Sequence, residues 1–153
     1  MDLEAEKIEV NFKLIGSTAI EDKLQEEVAD VIQHVKDAKV KLWVLTGDKI
    51  ETAINIGFSC RLLDQEMEMF IIDATSTKEI YKQLQEFNEH DVEIGMSREK
   101  AVVIGGESLG KILQAEGKNA VLIDLFIKLT DSATSVLCCR VSPKQKAEVV
   151  RLI

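Results

Sequence analysis

Two stretches of the chain gather hydroxyls, carboxylates and cations where an apolar run gives way to a helical pattern. In Leu42-Trp43-Val44-Leu45 the run stops at Thr46, Gly47 and Asp48, and Ile50, Ala53, Ile54 and Gly57 follow at helical spacing. In open parallel sheets, ligands bind beyond the carboxyl ends of strands, where helix N-termini also point. Gly47 lets a backbone approach a ligand closely, and a helix starting near Asp48 presents free N–H groups to an anion. In that setting Thr46 donates its hydroxyl to a phosphate oxygen. Asp48 suits a ligand hydroxyl or a magnesium-bound water better than a bare phosphate. The same residues also fit a plain turn, with Asp48 as N-cap and Glu51 completing a capping box. Spacing alone leaves both roles open.

The second stretch is Cys138-Cys139-Arg140-Val141-Ser142-Pro143-Lys144-Gln145-Lys146. Again a strand ends, a capped helix begins, and cations cluster at the junction. Cations near a helix N-terminus oppose the dipole, and a bound anion would offset that cost. Lys146 in the first turn reaches back toward the ligand edge as a point charge, although a solvated surface lysine fits the same spacing. Cys138 and Cys139 alternate faces and read as packing residues. Gly105-Gly106-Glu107-Ser108-Leu109-Gly110 lacks the lysine–hydroxyl pair of a Walker loop and reads as a turn. No nucleophile–histidine–acid triad and no zinc spacing occur, and His34 and His90 lie in unrelated contexts.

Strand-length apolar runs alternate with helical patterns, which predicts βαβ units and a parallel sheet. Strands are expected at Phe12–Ile15, Val40–Leu45, Met69–Ile72, Ala101–Ile104 and Ser135–Val141, with Val40–Leu45 buried on both faces. Asp22 and Gln25 resemble a capping box ahead of Leu24, Val28, Val31, Val35 and Ala38. Ser76 and Glu79 cap a helix carrying Ile80, Leu84 and Phe87, and the polar run Phe87–Glu99 reads mostly as loop. Leu109, Ile112 and Leu113 mark a short helix closed near Gly117, and Leu122, Leu125, Phe126 and Leu129 suit another, although that run also fits a strand. Ser142 as N-cap, Pro143 at N1 and Gln145 at N3 start a last helix, whose pattern through Ala147, Val150 and Ile153 carries no C-cap and reads as that of a fragment.

The 153 residues suffice for one domain with a real core. Against 27 acidic residues stand 19 Lys and Arg, so no basic stripe is available to neutralise a nucleic acid. Single phosphates need only local donors and stay open. The acidic Met1–Glu6 stretch is no signal peptide, and no apolar run approaches the roughly 18 residues of a membrane span. Three cysteines, two of them adjacent, read as buried reduced thiols.

Thr46-Gly-Asp-Lys…Glu51-Thr-Ala-Ile-Asn-Ile-Gly-Phe-Ser-Cys60 resembles the phosphorylation domain of phospholipid-transporting P-type ATPases, the lipid flippases. Ile15-Gly-Ser-Thr-Ala-Ile-Glu-Asp-Lys-Leu-Gln25 and Cys138-Cys-Arg-Val-Ser-Pro-Lys-Gln-Lys146 are similar to two further signatures in the right order. The resemblance implies an α/β haloacid-dehalogenase-like Rossmann fold, a mostly parallel sheet flanked by helices, here incomplete. Residues 1–153 would be a partial phosphorylation domain with a variable insertion around 67–99. It implies ATP and magnesium as cofactors and an aspartyl-phosphate intermediate. Thr46 would bind the transferring phosphoryl group, Gly47, Asp48 and Arg140 would line the nucleotide site, and Lys146 would neutralise phosphoryl oxygens. A phospholipid substrate and an accessory subunit would engage membrane regions outside this chain, which would itself lie soluble on the cytosolic side of a multi-pass protein. The family's Asp-Lys-Thr-Gly-Thr nucleophile and Gly-Asp-Gly-x-Asn-Asp magnesium motifs are missing, so the isolated chain is expected to be inactive. Asp73-Ala74-Thr75-Ser76-Thr77 has the nucleophile's D-x-T-x-T spacing but lacks its Lys and Gly and falls after Thr46. A helix cap at Ser76 or Thr77 explains it better. Two other classes stand beside this one, a non-catalytic phosphate- or partner-binding half-domain and a stand-alone phosphatase using Asp73.

Overall fold

A computed structural model of the chain describes residues 10, 11, 13–18, 23–95, 97–115 and 117–153, apart from the side chain of Lys118. Its elements run α1 (Val28–Asp37), β1 (Leu42–Leu45), α2 (Ile50–Ser59), β2 (Glu68–Ile72), α3 (Thr77–Ile94), β3 (Lys100–Gly105), α4 (Gly106–Leu113), a 3-10 turn (Gly117–Asn119), α5 (Val121–Ser132), β4 (Ser135–Cys139) and α6 (Pro143–Leu152). The four strands form one all-parallel sheet in the order β1-β4-β3-β2. This is the α/β architecture the alternating pattern predicts.

Strands β3 and β4 are buried along their whole length. Successive side chains therefore serve opposite layers. Val102, Ile104, Val136 and Cys138 join Leu84, Leu109, Phe126 and Val149 from α3, α4, α5 and α6 in the larger core. Ala101, Val103, Leu137 and Cys139 join Ala53, Leu62 and Leu63 in the smaller one, against α2 and α1. The two adjacent cysteines thus enter different layers, as their alternation predicts, and all three cysteines are free and buried.

Burial and the neighbouring Cys139 push the Cys138 thiol up to about 12. Burial, then the carboxylates of Asp48, Asp73 and Glu51, push Cys139 up to about 11. Both thiols should resist alkylation at pH 8 until the chain unfolds. Because they keep their protons where unfolded thiols lose them, from the ordinary value of 9.0, stability should fall as pH rises from about 9 toward 11 to 12. Relative to a Cys138→Ala/Cys139→Ala variant, urea denaturation at pH 10 should show a loss of roughly 1 kcal/mol per thiol. A pH-independent difference would contradict this.

Several expectations are corrected. Phe12 and Asp22 lie outside the described residues, but Lys13, Leu14 and Ile15 form no strand, and Leu14 and Ile15 are 90% and 97% exposed. No described strand borders them to take up their backbone groups. The first described helix begins at Val28, beyond Gln25, after Glu27 at a left-handed φ of 65° with no side-chain cap. It is held down instead by Lys36, 4% exposed, whose ammonium lies 3.6 Å from Asp64 and 3.5 Å from Glu99.

Strand β1 is shorter than expected and is not buried on both faces. It pairs only with β4 among the described residues, and Val44 is 37% exposed. The polar run after Phe87 is helix to Ile94. Two of its polar residues, Asn88 and Asp91, turn inward, while Glu89, His90 and Glu93 stay exposed. Asn88 donates to the carbonyls of Leu84 at 2.7 Å and Leu125 at 3.0 Å, joining α3 to α5, and Asp91 pairs with the buried Lys100. The segment read as an insertion thus contributes β2 and α3, with β2 paired to β3 over its length. The Ser76 cap is present, its hydroxyl accepting from the Glu79 N–H. The 3.6-residue period of Leu122–Leu129 is likewise helix, α5.

Candidate functional site

All four strands run parallel, so their carboxyl ends meet at one edge of the sheet, where α2, α4 and α6 begin. Insertion of β4 beside β1 brings Thr46-Gly47-Asp48 next to Arg140. Backbone hydrogen bonds continue past the strands: Thr46 N–H donates to Cys138 O at 2.9 Å, Arg140 N–H to Asp48 O at 2.9 Å, and Val141 N–H to Thr46 O at 3.0 Å. The two turns are stitched into one unit.

Within the first turn the Thr46 hydroxyl donates to Asp48 Oδ2 at 2.6 Å and accepts from the Asp48 N–H at 3.1 Å. Asp48 is therefore not the N-cap of α2. Lys49 occupies that position without a side-chain cap, and the Asp48 carboxylate is spent on Thr46. The first N–H groups of α2 lack the side-chain acceptor a capping box would supply. Gly47 is exposed, and a Cβ there would meet nothing within 4 Å.

Arg140 has a left-handed φ of 53°, an unfavourable conformation for a residue with a Cβ, costing about 1 kcal/mol. Its neighbours fix that conformation: its N–H is bound to Asp48, and its carbonyl packs where Gly106 has no Cβ. The side chain is exposed at the mouth of a crevice shared with Lys49, Glu51, Asp73, Gly105 and Glu107. Lys146 sits at the end of the first turn of α6, half-buried, with no ion-pair partner within 4 Å among the described residues. It shares this edge of the sheet with Thr46 but makes no hydrogen bond to it.

Asp73 lies just past β2, at the opposite margin of the sheet from Thr46. Three strand spacings of about 4.8 Å separate the backbones of β2 and β1, yet the Asp73 carboxylate does not stay at the margin: it lines the same crevice as Arg140 and Lys49. Asp73 packs there against Gly105, whose Cβ would stand 2.5 Å from its Oδ1. The spacing-based motifs missed Lys49, Glu51 and Glu107 as lining residues. Their only signal was their place just past a strand end.

Lys49 and Arg140 are the cations that share one crevice, with the turn bearing Thr46 joined to that of Arg140 by backbone bonds. Carboxylates of Asp48, Glu51, Asp73 and Glu107 oppose a bare anion there. Among the described residues no three ligating side chains come together to hold a metal ion. A divalent cation would need ligands beyond this set.

No family model matches the chain. Among curated proteins it is 44% identical over 157 residues to phospholipid-transporting ATPase DRS2 of Saccharomyces cerevisiae, covering 100% of this chain and 11% of that protein. It is 41% identical over 172 residues to probable phospholipid-transporting ATPase 12 of Arabidopsis thaliana, covering 100% of this chain and 14% of that protein. It is 42% identical over 168 residues to phospholipid-transporting ATPase C4F10.16c of Schizosaccharomyces pombe, covering 97% and 12%. The chain thus spans only a small part of the relatives it matches.

Proposed function

We infer function from the premise that this chain belongs, as one segment, to the phospholipid-transporting P-type ATPases. It is part of the phosphorylation domain of an ATP-driven lipid flippase, in which an aspartate supplied by another part of the protein is transiently phosphorylated. The observation that supports this reading is the stitched pair of turns, which joins the turn bearing Thr46 to the turn bearing Arg140 at the carboxyl edge of a parallel sheet. Phosphoryl transfer asks a protein chiefly for positioning and for charge stabilisation. Thr46 and the start of α2 supply hydrogen-bond donors, and Arg140 and Lys146 supply cations. Gly47 and Asp48 line the nucleotide side, with Asp48 free to exchange its bond to Thr46 for one to a ligand hydroxyl or a metal-bound water. ATP, magnesium and phospholipid are the ligands of the whole protein. The magnesium ligands, the lipid path and any accessory subunit's contacts belong to its other parts.

The 153 residues contain no Asp-Lys-Thr-Gly-Thr run, so the chain alone is expected to bind phosphate without turning over ATP. Amide NMR during titration with magnesium and ATP should shift Thr46, Gly47, Arg140 and Lys146. Lys146→Ala and Arg140→Gly should each weaken binding roughly tenfold, the usual loss for a charge-assisted hydrogen bond. Arg140→Gly should cost no stability, because glycine accepts the left-handed φ freely. Unmoved amides at Thr46 and Lys146 would refute the phosphate reading, and a phosphorylated Asp73 would favour the stand-alone phosphatase.

A further inference from the structure

We infer that Gln145 is a positioning residue for the proposed site, tying the turn that carries Arg140 and Lys146 to the start of α4; its functional half rests on the phosphate reading above. Three hydrogen bonds meet at this one residue. Gln145 Oε1 accepts from the Ser142 N–H at 2.9 Å, and the Gln145 N–H donates to Ser142 Oγ at 3.3 Å. Those two close the capping box of α6 and are local. The third is not: Gln145 Nε2 donates to the Gly106 carbonyl at 2.6 Å, joining the first turn of α6 to the first residue of α4.

The facing surface of α4 is shaped for this contact. A Cβ on Gly110 would stand 3.1 Å from Gln145 Nε2, and one on Gly106 would run into the Arg140 carbonyl. Glycines one helical turn apart thus admit the Arg140 backbone and the Gln145 amide side by side. Arg140 is held from β1 through Asp48 and from α4 through Gly106. Lys146, next to Gln145, takes its place from the same joint.

The chemistry of residue 145 separates this tie from simple capping. Glutamate and glutamine serve equally at the third position of a capping box. A carboxylate, however, has no N–H to give the Gly106 carbonyl, so only the amide does both jobs. Gln145→Glu keeps the cap, loses the tie and adds a charge, whereas Gln145→Met loses both bonds and adds none. An effect common to both variants belongs to the tie.

Both variants should fold. Each should shift the Gly106 and Glu107 amides, lower the NMR order of the Lys146 side chain, and weaken binding of inorganic phosphate roughly fivefold. If the wild type responds to phosphate and both variants bind it equally well, the inference is overturned. If the wild type shows no response, the phosphate reading fails, and side-chain order decides the structural half: a Lys146 equally ordered in all three proteins overturns the tie as well.

Discussion

Gly106→Ala is expected to be the most damaging single methyl group that can be added to this chain at a glycine, costing about 3 kcal/mol or more. The new Cβ would overlap the Arg140 carbonyl oxygen and stand 2.9 Å from the Arg140 carbonyl carbon and 3.1 Å from the Cys139 oxygen. All three neighbours are backbone, so no rotamer change relieves the clash. That backbone is itself held by the Arg140 N–H bond to Asp48 and the Val141 N–H bond to Thr46. Moving it would break the stitch between the two turns. Relief by shifting α4 would break the Gln145 bond to Gly106. Urea denaturation measures the loss directly. Gly47→Ala is the matched control, since its Cβ would meet nothing within 4 Å, and it should stay within about 1 kcal/mol of the parent. If Gly106→Ala matched that control, the close approach of β4 to α4 would be wrong.

Asp91→Ala should follow closely, at about 3–5 kcal/mol, because it strands a charge. Lys100 begins β3 with its side chain 6% exposed, and Asp91 on α3, 12% exposed, is its one carboxylate partner among the described residues. The ammonium also donates to the Asp91 carbonyl at 3.3 Å, and the Asp91 carboxylate accepts from Ser132 at 2.9 Å. Without the carboxylate, the Lys100 ammonium is left buried and unpaired or drags water into the core, and either is costly. The pair itself is worth far less than its rupture. Asp91→Ala combined with Lys100→Met should recover most of the loss, since the methionine replaces the lysine stem without its charge. Thermal or urea unfolding of the single and double variants checks this. A double variant no more stable than Asp91→Ala would show that the site needs its charges and not only their balance.

Sequence pattern disclosed most of the fold where a side chain's job is apolar or local. Strands β3 and β4 are buried on both faces and so read as unbroken apolar runs, and Ser76 and Ser142 cap helices with bonds that span three residues. It failed where burial is polar. The second half of α3 hides Asn88 and Asp91 on its inner side, and a periodicity of apolar residues cannot register them. It also failed at Asp48, which has the spacing of a cap and turns to Thr46 instead. Strand order was beyond it altogether, because pairing is set by contacts between distant segments. The juxtaposition of Thr46 with Arg140 follows from that order. The family resemblance proposes one site for both residues, and the backbone bonds bring their two turns together.

The strand order also governs how the chain comes together. Among the described residues, β1 and β2 form the two edges of the sheet, with the later β3 and β4 between them. Of the described strands, β2 can pair once Lys100–Gly105 is made, whereas β1 pairs with none until Ser135–Cys139 lies between Leu42–Leu45 and Ala101–Gly105. Such distant pairing is slow, since the loop must close before any bond repays it. The turn bearing Thr46 thus meets the turn bearing Arg140 only through the strand pairing most distant in sequence.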